Sequence, residues 1–194
     1  MGAGGWLTYA RGDGGYWYFG LGPNGGISNF SVASPANASA TLVAGTTSWT
    51  LTFKDGERRQ FDLTTGVLTT IIDRNGNTTQ LTYDGSNRLS TVTDPGARHL
   101  YFNYANGSSF LVNSVTSDFG VSLTYTYDSQ GRLSQITKPD QTTITFTYSS
   151  AGQIAQVTDA NGKVLESHTY DSNGRGLTSS QANGVNSLTV TYPQ

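Results

Sequence analysis

The sequence predicts an all-β protein made of antiparallel β-hairpin repeats of about 22 residues that form a curved or spiral sheet. Three observations support this prediction. Aromatic residues recur every 21 to 23 residues from residue 61 onward, glycine or asparagine marks turns between them, and the segments before them alternate apolar residues with threonine. No segment has the apolar spacing of an amphipathic helix. The hairpins are therefore expected to curl round on themselves, to stack as a β-solenoid or to pack against another layer.

The composition excludes several classes of protein. The 194 residues include 24 glycines and no cysteine, so a disulfide scaffold, a thiolate metal site and a cysteine nucleophile are excluded. The net charge of -2, with scattered cations, offers no surface for nucleic acid or for an anionic membrane. No segment has the roughly 18 consecutive apolar residues of a membrane span. Residues 1–5 do not resemble a signal peptide, so an export signal is expected outside this chain.

The recurring aromatic residues are the predicted structural anchors of the array. In strands such as residues 123–127 (LTYTY) and 144–148 (ITFTY), one face carries apolar groups and the other carries threonine. The anchor ends each strand on the apolar face, which must be covered, whereas threonine can remain in water. The seven anchors are Phe61, Tyr83, Tyr104, Tyr127, Tyr148, Tyr170 and Tyr192.

A turn residue follows each of the first six anchors. Glycine and asparagine adopt positive φ at little steric cost, and the aspartate that often follows the anchor can accept hydrogen bonds from the backbone of the turn. Each unit is therefore a strand, a turn, a second strand and a second turn. The predicted turn residues are Gly66, Asn87, Gly107, Gly131, Gly152 and Gly174.

The first 48 residues do not follow this period. Glycine and aromatic clusters predict short strands as far as residue 33, then a loop with an edge strand at residues 40–43, and residues 49–54 form the first regular strand. We therefore divide the chain into an N-terminal β segment with a capping loop, residues 1–48, and an array of about six repeats, residues 49–194. The aromatic residues of the first segment are expected to cap the apolar layer.

The repeats resemble the Rhs/YD-repeat family, the tyrosine–aspartate repeats that bacteria share with animal teneurins. The resemblance rests on residues 81–96 (LTYDGSNRLSTVTDPG), 127–137 (YDSQGRLSQIT) and 170–175 (YDSNGR), and it extends over about residues 49–192. Tyr104 and Tyr148 depart from the pattern because alanine and serine follow them. The family implies a spiral β-sheet wound into a hollow shell that can enclose a toxin, or a role in adhesion at the cell surface.

Catalysis and cofactor binding are not expected. The aspartates recur at one position of the repeat, and a repeated turn explains this better than a single active site does. Neither calcium-binding loop pattern is present, and the two histidines lie 69 residues apart without spaced partners. We therefore predict a protein that is not an enzyme, with no cofactor and no assigned metal ligand. The sequence Arg11-Gly12-Asp13 resembles an adhesive tripeptide, but chance explains it better in a glycine-rich chain.

The leading hypothesis is a noncatalytic structural module, part of an Rhs/YD-repeat shell or surface protein that serves in encapsulation or adhesion. One alternative is a self-assembling extracellular filament subunit that uses its open strand edges. Another is a carbohydrate- or protein-binding module with Trp6, Trp17 and Tyr18 as candidate binding residues. The expected partners are other YD repeats, copies of the same chain, or a glycan or cell-surface protein. The resemblance implies an extracellular or cell-surface location.

Overall fold

The structure is a computed structural model that describes residues 6–20, 30–34, 39–106, 109–181 and 184–193. Its regular elements are all β-strands, which confirms the predicted fold class of antiparallel hairpin repeats. The first nine strands are β1 (Trp6–Ala10), β2 (Tyr16–Gly20), β3 (Phe30–Ser34), β4 (Ala40–Ala44), β5 (Ser48–Phe53), β6 (Arg58–Asp62), β7 (Leu68–Ile72), β8 (Thr78–Tyr83) and β9 (Leu89–Thr93). The next nine are β10 (His99–Tyr104), β11 (Val112–Ser117), β12 (Ser122–Tyr127), β13 (Leu133–Thr137), β14 (Thr143–Tyr148), β15 (Ile154–Asp159), β16 (Val164–Tyr170), β17 (Gly176–Gln181) and β18 (Val185–Thr189).

The chain divides into two compact units, Met1–His99 and Leu100–Gln194. In the first unit each strand from β1 to β8 pairs antiparallel with the next one along the chain. In the second unit β10 to β18 do the same. Strand β4 pairs with both β3 and β5, so the prediction of an edge strand at residues 40–43 is wrong. A local pattern cannot show how many neighbours a strand has.

Eleven of the connections between the described strands are the same three-residue hairpin turn. At Asp128, for example, the backbone N–H donates to the carbonyl of Arg132, and the N–H of Gly131 donates back to the carbonyl of Asp128. This is a type I turn followed by a residue in the left-handed region, where Gly131 has a φ of 76°. Both turns of a 22-residue unit have this form. The repeat of the sequence is therefore a repeat of two turns.

A packed core lies in the first unit, between the β1–β2 hairpin and strands β4 and β5. Phe19 and Leu51 are fully buried, and Ala40 and Leu42 are nearly so. Aromatic side chains surround these four residues, namely Tyr9, Trp17, Trp49, Phe53 and Phe61, together with Leu7. The N-terminal hairpin thus covers one apolar face of strands β4 and β5.

The later hairpins keep the alternation without this covering. In β12, Leu123, Tyr125 and Tyr127 are half-buried, whereas Thr124 and Thr126 are exposed. Among the described residues from 54 to 193, no side chain is fully buried. The apolar face of these strands is therefore partly open in each unit taken by itself.

Candidate functional site: a repeated clamp between hairpins

Five anchor tyrosines donate a hydrogen bond from their hydroxyl group to the backbone of the preceding hairpin. The hydroxyl of Tyr148 donates a hydrogen bond to the carbonyl of Leu133 at 2.7 Å, and that of Tyr127 donates to the carbonyl of Val112 at 2.8 Å. The same contact recurs 15 or 16 residues back along the chain for Tyr83 to Leu68, Tyr170 to Ile154 and Tyr192 to Gly176. In every case the acceptor is the first residue of the strand that follows a turn.

The aspartate after the anchor holds the turn in shape. One carboxylate oxygen of Asp128 accepts the backbone N–H groups of Gln130 and Arg132, at 3.0 and 2.9 Å. The other oxygen accepts the Nε–H of Arg132 at 2.7 Å. Asp84 binds Arg88 in the same way, as do Asp94 with Arg98 and Asp171 with Arg175. The side chain of each aspartate thus holds the arginine that lies four residues further along the chain.

The arginine in turn covers the tyrosine of the next hairpin. The guanidinium carbon of Arg132 lies 4.3 Å from the ring centre of Tyr148, and that of Arg175 lies 4.2 Å from the ring centre of Tyr192. A guanidinium above an aromatic ring is attracted to its negative face and also shields the ring from water. We call this set of contacts, from aspartate to arginine to the next tyrosine, the hairpin clamp. The sequence shows arginine after the turn glycine, yet its role was missed.

Gln153 takes the place of arginine in the unit that begins at Tyr148. The hydroxyl of Ser149 donates to Oε1 of Gln153 and accepts the backbone N–H of Gln153, where other units have aspartate and arginine. The Nε2 group of Gln153 donates to the carbonyl of Gly174 at 2.7 Å, one repeat further on. The departure from the tyrosine–aspartate pattern therefore changes the chemistry of the link but keeps a link between hairpins.

The unit that begins at Tyr104 has a different connection. The N–H of Ala105 donates to the carbonyl of Leu111, so this loop is longer than the others. The predicted turn residue Gly107 lies outside the described residues. The other predicted turn residues, Gly66, Asn87, Gly131, Gly152 and Gly174, all have positive φ between 64° and 86°.

The seven anchors are not fully buried. Phe61, Tyr83, Tyr104, Tyr127, Tyr148 and Tyr170 are half-buried, and Tyr192 is exposed over 37% of its surface. Burial raises the pKa of Tyr127 above its usual value. An anchor of this kind stabilises the array through a ring that is partly covered and a hydroxyl that binds the backbone, rather than as the centre of a core.

Hydrogen bonds within the turns favour the charged form of the turn aspartates. Hydrogen bonds from the side chain and the backbone N–H of Arg88 lower the pKa of Asp84, and Arg132 does the same to Asp128. The backbone N–H of Arg175 is the main cause of the lowered pKa of Asp171. Asp62, where Thr65 donates, and Asp73, where Asn77 donates, are shifted in the same direction. These carboxylates therefore accept hydrogen bonds within their own turns.

The candidate binding residues of the N-terminal hairpin point to different sides. Trp17 packs against Tyr9 and Phe53, with ring centres 5.8 and 5.6 Å apart, and its Nε1 is buried without a hydrogen-bond partner. Tyr18 faces the other way and is 41% exposed. Trp6 begins β1, and its side chain lies outside the described part of the structure. Trp17 and Tyr18 therefore do not form one exposed aromatic surface.

The Arg11-Gly12-Asp13 sequence occupies the turn between β1 and β2. The side chain of Arg11 forms an ion pair with Asp13, and Asp13 also accepts the N–H of Gly15 at 3.0 Å. The two charged groups that an adhesive tripeptide would present are thus bound to each other.

The described residues contain neither a cluster of metal-ligating side chains nor a membrane-spanning helix. No cluster of three or more histidine, cysteine or acidic side chains in the described ranges could hold a metal ion. In the same ranges, no helix is long and apolar enough to cross a bilayer.

Comparison with known proteins identifies the repeat. The RHS Repeat family model matches residues 63–99, 111–143 and 127–164. These ranges contain Asp84 with Arg88, and Asp128 with Arg132. The matched residues, 63–99 and 111–164, are Rhs repeats. A search of curated proteins finds no match to it.

Solved structures give the same result for the fold. A crystal structure of TcdB2-TccC3-TEV aligns with a TM-score of 0.50 at 12% identity, over 96% of this chain and 13% of the other. The Photorhabdus luminescens Tc holotoxin pore with a TccC3 mutation aligns with a TM-score of 0.43 at 13% identity, over 86% of this chain and 12% of the other. The chain thus spans about an eighth of the length of the solved chains that it matches. Family and fold together support a structural repeat module.

Proposed function

We propose that this Rhs-repeat array is a wall segment of an enclosing shell and that its task is encapsulation rather than catalysis. The hairpin clamp carries this proposal. In full it links hairpins through Asp128, Arg132 and Tyr148, and again through Asp171, Arg175 and Tyr192. A linkage that depends only on neighbouring units allows a wall to be extended without a closed core.

The two faces of the strands fit this role. In β12 the threonine side chains are exposed, and the tyrosine and leucine side chains are half-buried. A wall around a protein cargo needs a soluble outer surface and an inner surface that contacts polypeptide. The proposal includes an extracellular site of action, in keeping with the Rhs repeats of the matched toxin chains.

Limited proteolysis of the protein expressed from its native reading frame tests encapsulation. We expect a segment that resists protease in the wild type and is cleaved in the double variant Tyr127→Ala with Tyr148→Ala, because the wall between neighbouring hairpins opens. Thr126→Ala, on the exposed face of the same strand, is the matched control and should preserve the protection. Equal cleavage of every segment in the wild type and in the double variant would count against a shell.

Self-association through β18 is the second candidate function. All five residues of this strand are exposed, including Val185 at 59% and Leu188 at 62%. An apolar strand with this exposure favours pairing with another copy or with a further repeat. Sedimentation at increasing concentration tests this, with Leu188→Lys as the variant and Asn186→Lys as the control. A concentration-independent monomer in the wild type would exclude filament formation.

Adhesion finds less support in the structure. The ion pair between Arg11 and Asp13 and the packing of Trp17 against Phe53 occupy the groups that the adhesive and glycan-binding hypotheses would use. Of the candidate binding residues with described side chains, Tyr18 alone is largely exposed.

A further inference from the structure

An apolar cavity of about 350 Å³ lies beside strand β1 in the first unit. Residues 7–10 form one wall of this cavity, and Leu42, Trp49, Leu51 and Phe61 form much of the rest. We call it the β1 cavity. Sites that bind ligands are concave, mostly apolar and supplied with a few well-placed polar groups. The position of these polar groups therefore decides which ligand would fit.

The backbone of β1 supplies polar groups at this wall. The N–H of Arg11 donates to the carbonyl of Gly15 at 2.8 Å, and the register continues with Tyr9 opposite Trp17 and Leu7 opposite Phe19. Hydrogen-bonded and non-hydrogen-bonded pairs alternate in an antiparallel ladder. The peptide groups of the residues in between, Thr8 and Ala10, consequently point away from β2.

Those peptide groups lie on the open edge of the hairpin. Within the described residues, β1 pairs with β2 and with no other strand. Thr8 and Ala10 both line the β1 cavity, and both are exposed. An open strand edge next to an apolar cavity is the arrangement that accepts an extended peptide, because the edge binds its backbone and the cavity takes one of its side chains.

Positive charge lies further along β1. Beyond Tyr9, which lines both sites, a second cavity of about 310 Å³ is formed by Arg11, Trp17, Phe53 and Arg59, with Gly12 and Asp13 at the turn. The guanidinium of Arg59 lies 4.9 Å from the ring centre of Phe53 and binds Glu57 at 2.7 Å. The side chain of Arg11 is ion-paired with Asp13, whereas Arg59 has five N–H donors and keeps some of them after binding Glu57 and the hydroxyl of Tyr9. Arg59 is therefore the group at this end of the edge that is suited to an acidic side chain.

We propose that the edge of β1 binds an extended peptide segment of another protein by strand addition. The segment places one large apolar side chain in the β1 cavity and an acidic side chain two residues along, near Arg59. The spacing follows from the period of a strand, in which every second side chain faces the same way. Unpaired peptide groups at Thr8 and Ala10 favour a polypeptide over a small apolar molecule, which would leave them without partners.

Fluorescence anisotropy with a labelled octapeptide tests the proposal. The peptide alternates threonine with valine, phenylalanine, aspartate and valine, so that the apolar and acidic residues share one face. We expect saturable binding to the full chain. Replacement of phenylalanine by alanine, or of aspartate by asparagine, should weaken binding at least tenfold and threefold, respectively. Binding that is indifferent to both replacements would overturn the proposed site.

Two further changes test strand addition itself. Ala10→Pro removes the outward N–H of β1 without removing a bond to β2, and should weaken binding at least tenfold, whereas Ala10→Ser retains the N–H and should bind as the wild type does. A peptide N-methylated on its central residues changes nothing in the protein and should fail to bind. Wild-type affinity for Ala10→Pro or for the methylated peptide would contradict strand addition.

The oligomeric state distinguishes the proposed occupant from a second copy. We expect the wild-type protein and the Ala10→Pro variant to sediment identically in the absence of peptide. A dimer that Ala10→Pro dissociates would assign the edge to another copy of this chain and would overturn binding of a foreign peptide.

Discussion

The N-terminal strands and the later hairpins are stabilised in different ways. Strands β1 to β5 place Phe19 and Leu51 between two layers, where neither side chain is accessible to water. In the later hairpins Tyr127 and Tyr148 remain half-exposed, and their hydroxyls bind the backbone of the preceding hairpin. The first region depends on a second layer, whereas the second depends on contacts between neighbours in sequence. A repeat built in this way can be added or lost without dismantling a core.

Removal of a core side chain should have the largest effect. Leu51→Ala takes a fully buried side chain out of the N-terminal layer and should lower the free energy of unfolding by about 3 to 5 kcal/mol. All three tryptophans, Trp6, Trp17 and Trp49, lie in this region, so their fluorescence reports its unfolding during a denaturant titration. Leu63→Ala, at an exposed position, serves as the control. A loss below about 1 kcal/mol for Leu51→Ala would mean that the two regions do not differ as described.

Removal of an anchor should cost less. Tyr127→Ala loses a half-buried ring and the hydrogen bond to Val112, with an expected loss of about 2 to 3 kcal/mol. Tyr127→Phe loses the hydroxyl alone and should cost about 1 kcal/mol. Hydrogen exchange of the amides in β11 to β13 measures both, because this part of the chain contains no tryptophan. If Tyr127→Phe were as stable as the wild type, the hydroxyl of Tyr127 would not contribute to the hairpin clamp.

Two turns contain a residue whose replacement by glycine should stabilise the protein. Ala97 and Gln141 have φ values of 58° and 65°, in the region that glycine adopts without strain. Ala97→Gly and Gln141→Gly should each raise the free energy of unfolding by up to about 1 kcal/mol. Gly131→Ala, at the corresponding position of another turn, should lower it by a similar amount. A stabilising effect of Gly131→Ala would contradict the assigned turn.

The arginine of the clamp should have a smaller effect. Arg132→Gln removes the cation above Tyr148 and should cost about 0.5 to 1 kcal/mol. A double-mutant cycle with Tyr148→Leu isolates the contact, and we expect the two losses to be less than additive. Full additivity would show that the guanidinium and the ring do not interact.

Protonation of a single turn aspartate in acid should change the stability least of all, because the turn aspartates face solvent. Their pKa values are lowered in the folded chain, so their contribution is complete above the unfolded value of about 3.9 and is lost as the pH falls through the folded values. The melting temperature should therefore fall as the pH drops below about 4. Asp128→Asn should reduce this fall without abolishing it, since Asp84 and Asp171 remain. A melting temperature that rises over this range would reverse the assigned direction.

Local chemistry explains which parts could be predicted from the sequence. The period of the anchors and the turn glycines predicted the hairpins, because a turn residue with positive φ and an alternating strand are properties of a few adjacent residues. The role of Arg132 was missed because its partner ring is 16 residues away, at Tyr148. The partial burial of Trp17 was missed. Alternation along a strand predicts which face of the sheet a residue lies on, but it does not show what packs against that face.

The sequence alone determined the all-β class, the 22-residue repeat and the resemblance to Rhs repeats, since all three depend on spacing along the chain. Tertiary structure decided which apolar faces are covered. The β1–β2 hairpin packs over Leu42 and Leu51 and buries them, whereas Tyr125 in β12 keeps the same alternation and stays half-exposed. Burial depends on a second layer that is distant in sequence, and a pattern within one strand carries no record of it.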